Sequence, residues 1–244
     1  MYSGTVFEGR RLRPEQVVLL VKGVVKGEQA QILANEIGVC RQTVQAIGQQ
    51  IHANAQHLQA DNPLDRDEQT ETDEMYQNAG GKSDPHLDPA DRPRRRANKQ
   101  RGHGTYENDR PPIVGTVGRE SGKVRLRMVE HTDRATLCEH VEQFTTPGTQ
   151  VYTDEWRGYN HVDRPHNSVC HAQKEWARDD AGDGIREVHI NRVEGLWTLV
   201  RNFMRLFRGV HKKFLAADLA ICEFHLNLKR ITPDFIAALV AAPL

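Results

Sequence analysis

Residues 112–131 limit what this chain can fold into more than any other stretch. "PIVGTVGRE" and "KVRLRMVEH" each alternate apolar with polar residues, and "ESGK" between them carries a glycine. Period-two alternation on both sides of a glycine turn is the pattern of a β-hairpin with a buried face. A lone hairpin is not stable in water, so other elements must cover it. The residues that follow supply them. "DRATLCEHVEQF" (133–144) has the apolar spacing of an amphipathic helix, Pro147 and Gly148 stop it, and "TQVYTDEW" (149–156) returns to β-prone residues. Residues 166–176, "HNSVCHAQKEW", read as a further short strand. Helical patterns then run from about Ile190 to Phe207 and from about Leu215 to Lys229, leaving 231–244 as a tail. With one more segment, "ETDEMY", upstream, the order predicts an α/β chain whose central mixed sheet is flanked by helices.

Residues 12–57 read as helical. "PEQVVLLVKGVV" is apolar-periodic with Pro14 at its start. Two further helical patterns flank "EIGVC", where Gly38 can supply a left-handed turn. Small Ala34 suits a helix crossing, and Ile32, Leu33, Ile37, Val39, Val44 and Ile47 provide the contacts. This is the pattern of a helix-turn-helix over residues 1–60, whose second helix presents Arg41, Gln42, Thr43 and Gln45 outward for DNA. Residues 61–72 are polar and acidic and read as a linker. From residue 77 to 112 glycine, proline and charge replace apolar periodicity, which predicts a long loop within a catalytic domain spanning 73–230. Inside that loop "RPRRRANKQR" concentrates Arg94, Arg95, Arg96, Lys99 and Arg101, a run able to neutralise phosphates.

Composition excludes some classes. The formal net charge is zero, so any case for nucleic acid has to be local. The four cysteines, Cys40, Cys138, Cys170 and Cys222, form no CxxC pair, which argues for reduced thiols in a cytoplasmic protein over a disulfide framework or a cysteine-rich zinc site. No apolar run approaches the length of a membrane-spanning helix.

Three acidic positions carry the chemistry: Asp73 in "ETDEMY", Asp154 at the end of the strand after the helix, and Glu194 in the late helix. At about 100° per residue, Asn191, Glu194, Thr198, Arg201, Arg205 and Arg208 share one helical face, and Val193, Leu196, Trp197, Val200, Phe203, Met204 and Phe207 cover the other. The polar face begins with an amide and a carboxylate and continues as arginines only. That gradient suits a metal end adjoining a phosphate track, and it also suits the helix dipole. Oxygen ligands from two strands and a helix would hold Mg²⁺ or Mn²⁺, and a pair of such ions can drive phosphodiester chemistry. A cation would also explain why a strand ends on Asp154. Ligation by His189 is a weaker alternative.

Six stretches carry a resemblance: "SGTVFEGRRL" (3–12), "DEMYQNAGGK" (73–82), "RRRANKQRGHG" (94–104), "RPPIVGTVGRESGKVRLR" (110–127), "VYTDEWRGYN" (151–160) and "REVHINRVEGLWTLVRNFMRLFRGVHKKFL" (186–215). In these, and in their order, the chain resembles DDE-type transposases of bacterial insertion sequences, specifically the ISXO-like ("fifteen-ninety-five") group. The resemblance implies an RNase H-like core, a site for two Mg²⁺ or Mn²⁺ ions, and cut-and-paste chemistry on double-stranded DNA at terminal inverted repeats, performed by a homo-oligomer assembled on DNA. It implies Asp73 and Asp154 as the first two catalytic ligands. For the third it leaves two candidates: Asn191, matching the Asp-Asp-Asn description of the group, and Glu194, matching the Asp-Asp-Glu pattern with Arg201 seven residues later. Relatives commonly carry a zinc ribbon before "SGTVFEG", and this chain begins at Met1 without those cysteines, so a truncated or degraded copy is expected. Two rival readings are a transposase relative that binds DNA without catalysis and a different RNase H-like nuclease such as a junction resolvase.

Overall fold

A computed structural model describes residues 2–81, 102–207, 209–228 and 232–242. The described residues form seven α-helices and one five-stranded mixed sheet. They are α1 (Pro14–Val25), α2 (Ala30–Ile37), α3 (Arg41–Leu58), β1 (Gln69–Tyr76), β2 (Pro112–Gly118), β3 (Val124–Met128), α4 (Arg134–Phe144), β4 (Gln150–Thr153), β5 (His166–Ser168), α5 (Asn191–Arg205), α6 (Lys212–Asn227) and α7 (Pro233–Val240). No helix among the described residues is long and apolar enough to cross a membrane.

The chain divides into two compact units. One comprises residues 60–201 and 210–212, the other residues 1–59, 202–209 and 213–244. The division departs from the contiguous 1–60 and 73–230 read from sequence, because α5 begins in one unit and its last turn belongs to the other. The expected linker 61–72 also runs into β1, which starts at Gln69. Thr70, Glu71 and Thr72 are fully buried there, so the start of the strand carries polar residues where a buried strand ordinarily shows apolar ones. The expected tail contains α7, whose Leu239 is fully buried.

In the sheet unit the strand order is β3-β2-β1-β4-β5. The β2–β3 hairpin is antiparallel, as its alternation predicts, and β2 pairs antiparallel with β1. Strand β4 joins the other side of β1 in parallel, and β5 joins β4 in parallel. Helix α4 is capped by Asp133, whose carboxylate accepts the amide of Thr136. It lays Leu137 and Val141 against Val114, Val151 and Tyr159 on one face of the sheet. Under it runs a buried polar chain in which Thr72, Thr116 and His140 are linked at 2.9 and 3.1 Å. Burial holds the His140 imidazole neutral, its pKa pushed down to about 3.

In the helical unit, Gln16 accepts the amide of Arg13 at the start of α1 and donates to the carbonyl of Ile37 at the end of α2. Gly38 ends α2 in the left-handed region (φ 69°, ψ 39°), and α3 begins three residues later at Arg41. Leu33, Ala34, Ile37, Val44, Ile47 and Ile51 are buried in this unit, whereas Ile32, expected among the contacts, is 49% exposed because it falls on the outer side of α2, and Val39 is half-buried. Asn54 of α3 donates to the carbonyls of Leu239 and Ala241, which ties α7 to α3.

Candidate active site

Strand β1 organises the site. Its side chains alternate, so Glu71, Asp73 and Met75 face one side of the sheet and Thr72 and Glu74 the other. The parallel register pairs Gln69 with Gln150, Thr70 with Val151 and Glu71 with Tyr152. Carried forward at the same offset, Asp73 lies level with Asp154 at the C-terminal ends of neighbouring strands. Asp154 is thus one residue past β4, and its carboxylate accepts the amide of Trp156 at 2.9 Å. The second acid of the pair does structural work. Glu155 accepts the amides of His171 and Ala172 at 2.9 and 3.0 Å and so anchors the short 3₁₀ turn His171–Gln173 beside Asp154.

Helix α5 is fastened to β1 at two points. The fully buried carboxylate of Glu71 accepts the amides of Arg192 and Val193 at 2.7 and 3.1 Å, which are unpaired donors of the first helical turn. Its other oxygen pairs with Arg119 at 2.8 Å, and Arg119 also donates to the carbonyls of Glu187 and His189 and lies over the Tyr152 ring. Two turns in, the indole N–H of Trp197 donates to Asp73 at 2.7 Å. Gly115, opposite Asp73 in the β1–β2 register, makes this possible: a Cβ there would stand 2.5 Å from the Trp197 ring. With α5 so fixed, the charge of Glu194 acts on Asp73.

The electrostatics are those of crowded acids. Burial raises the Asp73 carboxyl to about 6, with Asp154 and Glu194 adding repulsion and the Trp197 hydrogen bond opposing both. Burial also raises Asp154, against its hydrogen bond to Trp156 and the influence of His171 and His103. On the other face of β1, burial and Asp73 lift Glu74 to about 8, where it accepts a 2.8 Å hydrogen bond from Tyr159. Hard carboxylate oxygens that repel one another in a partly desolvated pocket suit a divalent cation, which would relieve that repulsion. They are not drawn into a closed ligand set: among the described residues no group of three or more His, Cys, Asp or Glu side chains stands in a metal-holding arrangement.

The charges of Asp154 and Glu194 both act on Asp73. Asn191 is the exposed first residue of α5, on the same helical face as Glu194. His189 lies 3.2 Å from Glu71 and serves the strand–helix joint. Arg201 and Arg205 are exposed on α5, with Arg205 donating to Asn202. Arg41, Gln42 and Gln45 are exposed on α3, and Thr43 is half-buried. Arg94, Arg95, Arg96, Lys99, Arg101 and Arg208 lie outside the described residues. Sequence reasoning missed Glu71, Glu74, His103, His171 and the role of Trp197. The Glu-x-Asp spacing on one strand face was the available signal for Glu71; Trp197 was read only as apolar packing, which its burial confirms and its hydrogen bond exceeds.

Comparison with known proteins gives three likenesses. Residues 67–227 match the ISXO2-like transposase domain. An uncharacterised protein in transposable element ISH50 of Halobacterium salinarum is 28% identical over 223 residues, which cover 86% of this chain and 68% of that protein. A cryo-electron-microscopy structure of a simian T-cell lymphotropic virus intasome in complex with PP2A regulatory subunit B56 gamma aligns at 10% identity with a TM-score of 0.34, over 83% of this chain and 66% of that chain, too distant to establish a shared fold.

Proposed function

The chain belongs to the ISXO2-like transposase family, and from that premise we propose that it cuts and joins DNA at the ends of an insertion sequence. The observation that carries the reading is the level placement of Asp73 and Asp154 at the ends of adjacent parallel strands, with Glu194 acting on Asp73. The strand order, with the antiparallel run β3-β2-β1 on one side and β4 and β5 added in parallel on the other, supports an RNase H-like core. Asp73 and Asp154, with Glu194 or Asn191, would hold Mg²⁺ or Mn²⁺ as a pair. When bound, such ions activate water and stabilise the leaving oxygen of a phosphodiester.

The chain's own residues do the rest. Trp197 holds Asp73 in one orientation, and Glu71 fixes the start of α5 so that Glu194 stays beside it. Arg201, Arg205, Arg208 and the basic run 94–101 contact phosphates, positioning the strand without reading its sequence. Helices α2 and α3 act as a helix-turn-helix, with Arg41, Gln42, Thr43 and Gln45 toward the terminal repeat. The freed 3′-hydroxyl then attacks target DNA in the same site, within a homo-oligomer that pairs two ends in the bacterial cytoplasm.

The deciding experiment replaces Asp154 with Asn. Mg²⁺-dependent cleavage of DNA bearing the element's ends is expected to vanish while DNA binding persists; undiminished cleavage refutes the assignment. If the unaltered protein binds DNA but never nicks it with Mg²⁺ or Mn²⁺, the chain is a DNA-binding protein without catalysis.

A further inference from the structure

Of the chain's three tryptophans, Trp197 is buried, whereas Trp156 and Trp176 leave 37% and 58% of their surface exposed. Tryptophan is normally well covered, so two exposed rings beside one site need a reason. Each ring lies against a histidine: His103 on Trp156 with centroids 4.8 Å apart and planes 32° apart, and His171 on Trp176 at 4.9 Å and 39°. Each stack is also tied to a carboxylate of the site. Trp156 donates its amide to Asp154, and His171 brings its Nε2 to 3.7 Å from Glu194.

Both stacks are held from behind. His103 lies 2.6 Å from the Tyr76 hydroxyl, and the Trp156 indole donates to the carbonyl of Thr132. The His171 backbone is pinned by Glu155, yet neither of its buried ring nitrogens has a hydrogen-bond partner. Its Nε2 is the ring atom that stands toward Glu194.

We propose that Trp156 and Trp176 are stacking platforms for unpaired nucleobases at the end of a DNA strand whose phosphate lies at Asp73, Asp154 and Glu194. This deepens the transposase reading and rests on it. A base has two flat apolar faces, and stacking on an indole is tolerant of sequence. Trp156 follows Asp154 by two residues and the histidine stacked on Trp176 stands 3.7 Å from Glu194, so the bases flanking a phosphate at the carboxylates would pass beside both rings. Bases inside a duplex have both faces covered by their stacked neighbours, so the platforms favour strand ends that have come apart.

The test uses the full-length chain, in buffer containing Ca²⁺, with two probes of arbitrary sequence: a blunt duplex and the same duplex carrying a short single-stranded thymine tail. The tailed probe is expected to bind about tenfold tighter and to quench tryptophan fluorescence. Trp176→Ala and Trp156→Ala should each remove most of that preference, and Trp176→Phe should keep part of it, with circular dichroism unchanged. Equal affinity for the two probes, or a preference that survives the double alanine variant, overturns the inference and leaves the transposase reading standing. Failure to bind either probe overturns both. Quenching that follows protein concentration without DNA would assign the rings to a second copy of the chain and also overturns it.

Discussion

At the residue scale, the site depends on a side chain that is absent. Gly115 leaves the space that the Trp197 ring fills, and the ring in turn reaches Asp73. Gly115→Ala must push the indole aside, with an expected loss of about 1–3 kcal/mol in urea unfolding. Trp197→Phe keeps the apolar packing and deletes the donor. It should fold normally yet cleave DNA about ten- to a hundredfold more slowly, because Asp73 is no longer held. In the double variant the smaller ring relieves the clash, so the two stability losses should be less than additive; strict additivity would show that the two positions do not communicate. None of this was legible in the sequence. A glycine within an alternating apolar run reads as a weak strand position, and its meaning depends on a helix that arrives about eighty residues later.

At the element scale, α5 is placed by a buried acid. Glu71 caps its first turn and neutralises Arg119, both well out of solvent. Glu71→Ala would strand the Arg119 guanidinium, with an expected cost of about 3–5 kcal/mol. Hydrogen exchange should report it locally, with the amides of Arg192 and Val193 losing protection before the rest of α5; uniform loss along the helix would refute the cap. The faces of α5 were readable in advance: Asn191, Glu194, Thr198, Arg201 and Arg205 are exposed, and Val193, Leu196, Trp197 and Val200 are buried, as the 3.6-residue period requires. The hairpin, α4 and β4 were readable for the same reason. Strand β1 was readable only in part: "ETDEMY" marked most of it, but its start at Gln69 was taken for linker, because the buried Thr70, Glu71 and Thr72 are polar and Glu71 and Thr72 are satisfied by partners distant in sequence.

At the scale of the whole molecule, buried titrating groups pull stability in opposite directions with pH. Glu74 has a folded pKa of about 8, above its ordinary 4.5, so it stabilises the fold increasingly as pH drops from 8. His140 has a folded pKa of about 3, below its ordinary 6.5, so below pH 6.5 the unfolded chain binds a proton that the native state refuses. In metal-free buffer, unfolding free energy should therefore rise on acidification from pH 8, by at most about 1.4 kcal/mol per unit from Glu74, and below pH 6.5 His140 should offset part of that rise while Asp73, raised to about 6, adds to it. His140→Gln should steepen the rise below 6.5; an unchanged profile would show that the imidazole is not held neutral. The two-unit division was also beyond the sequence. Hydrophobic periodicity marks each helix but carries no record of which unit it joins, and α6 and α7 lie far along the chain from the α1–α3 helices whose unit they share.

The gap at Gly115 has a historical consequence. A lineage of this chain cannot enlarge residue 115 while the indole remains, nor discard the indole without leaving a hole above the sheet and an unrestrained acid. Positions 115 and 197 can drift only as a couple, so among descendants they should vary jointly or stay fixed.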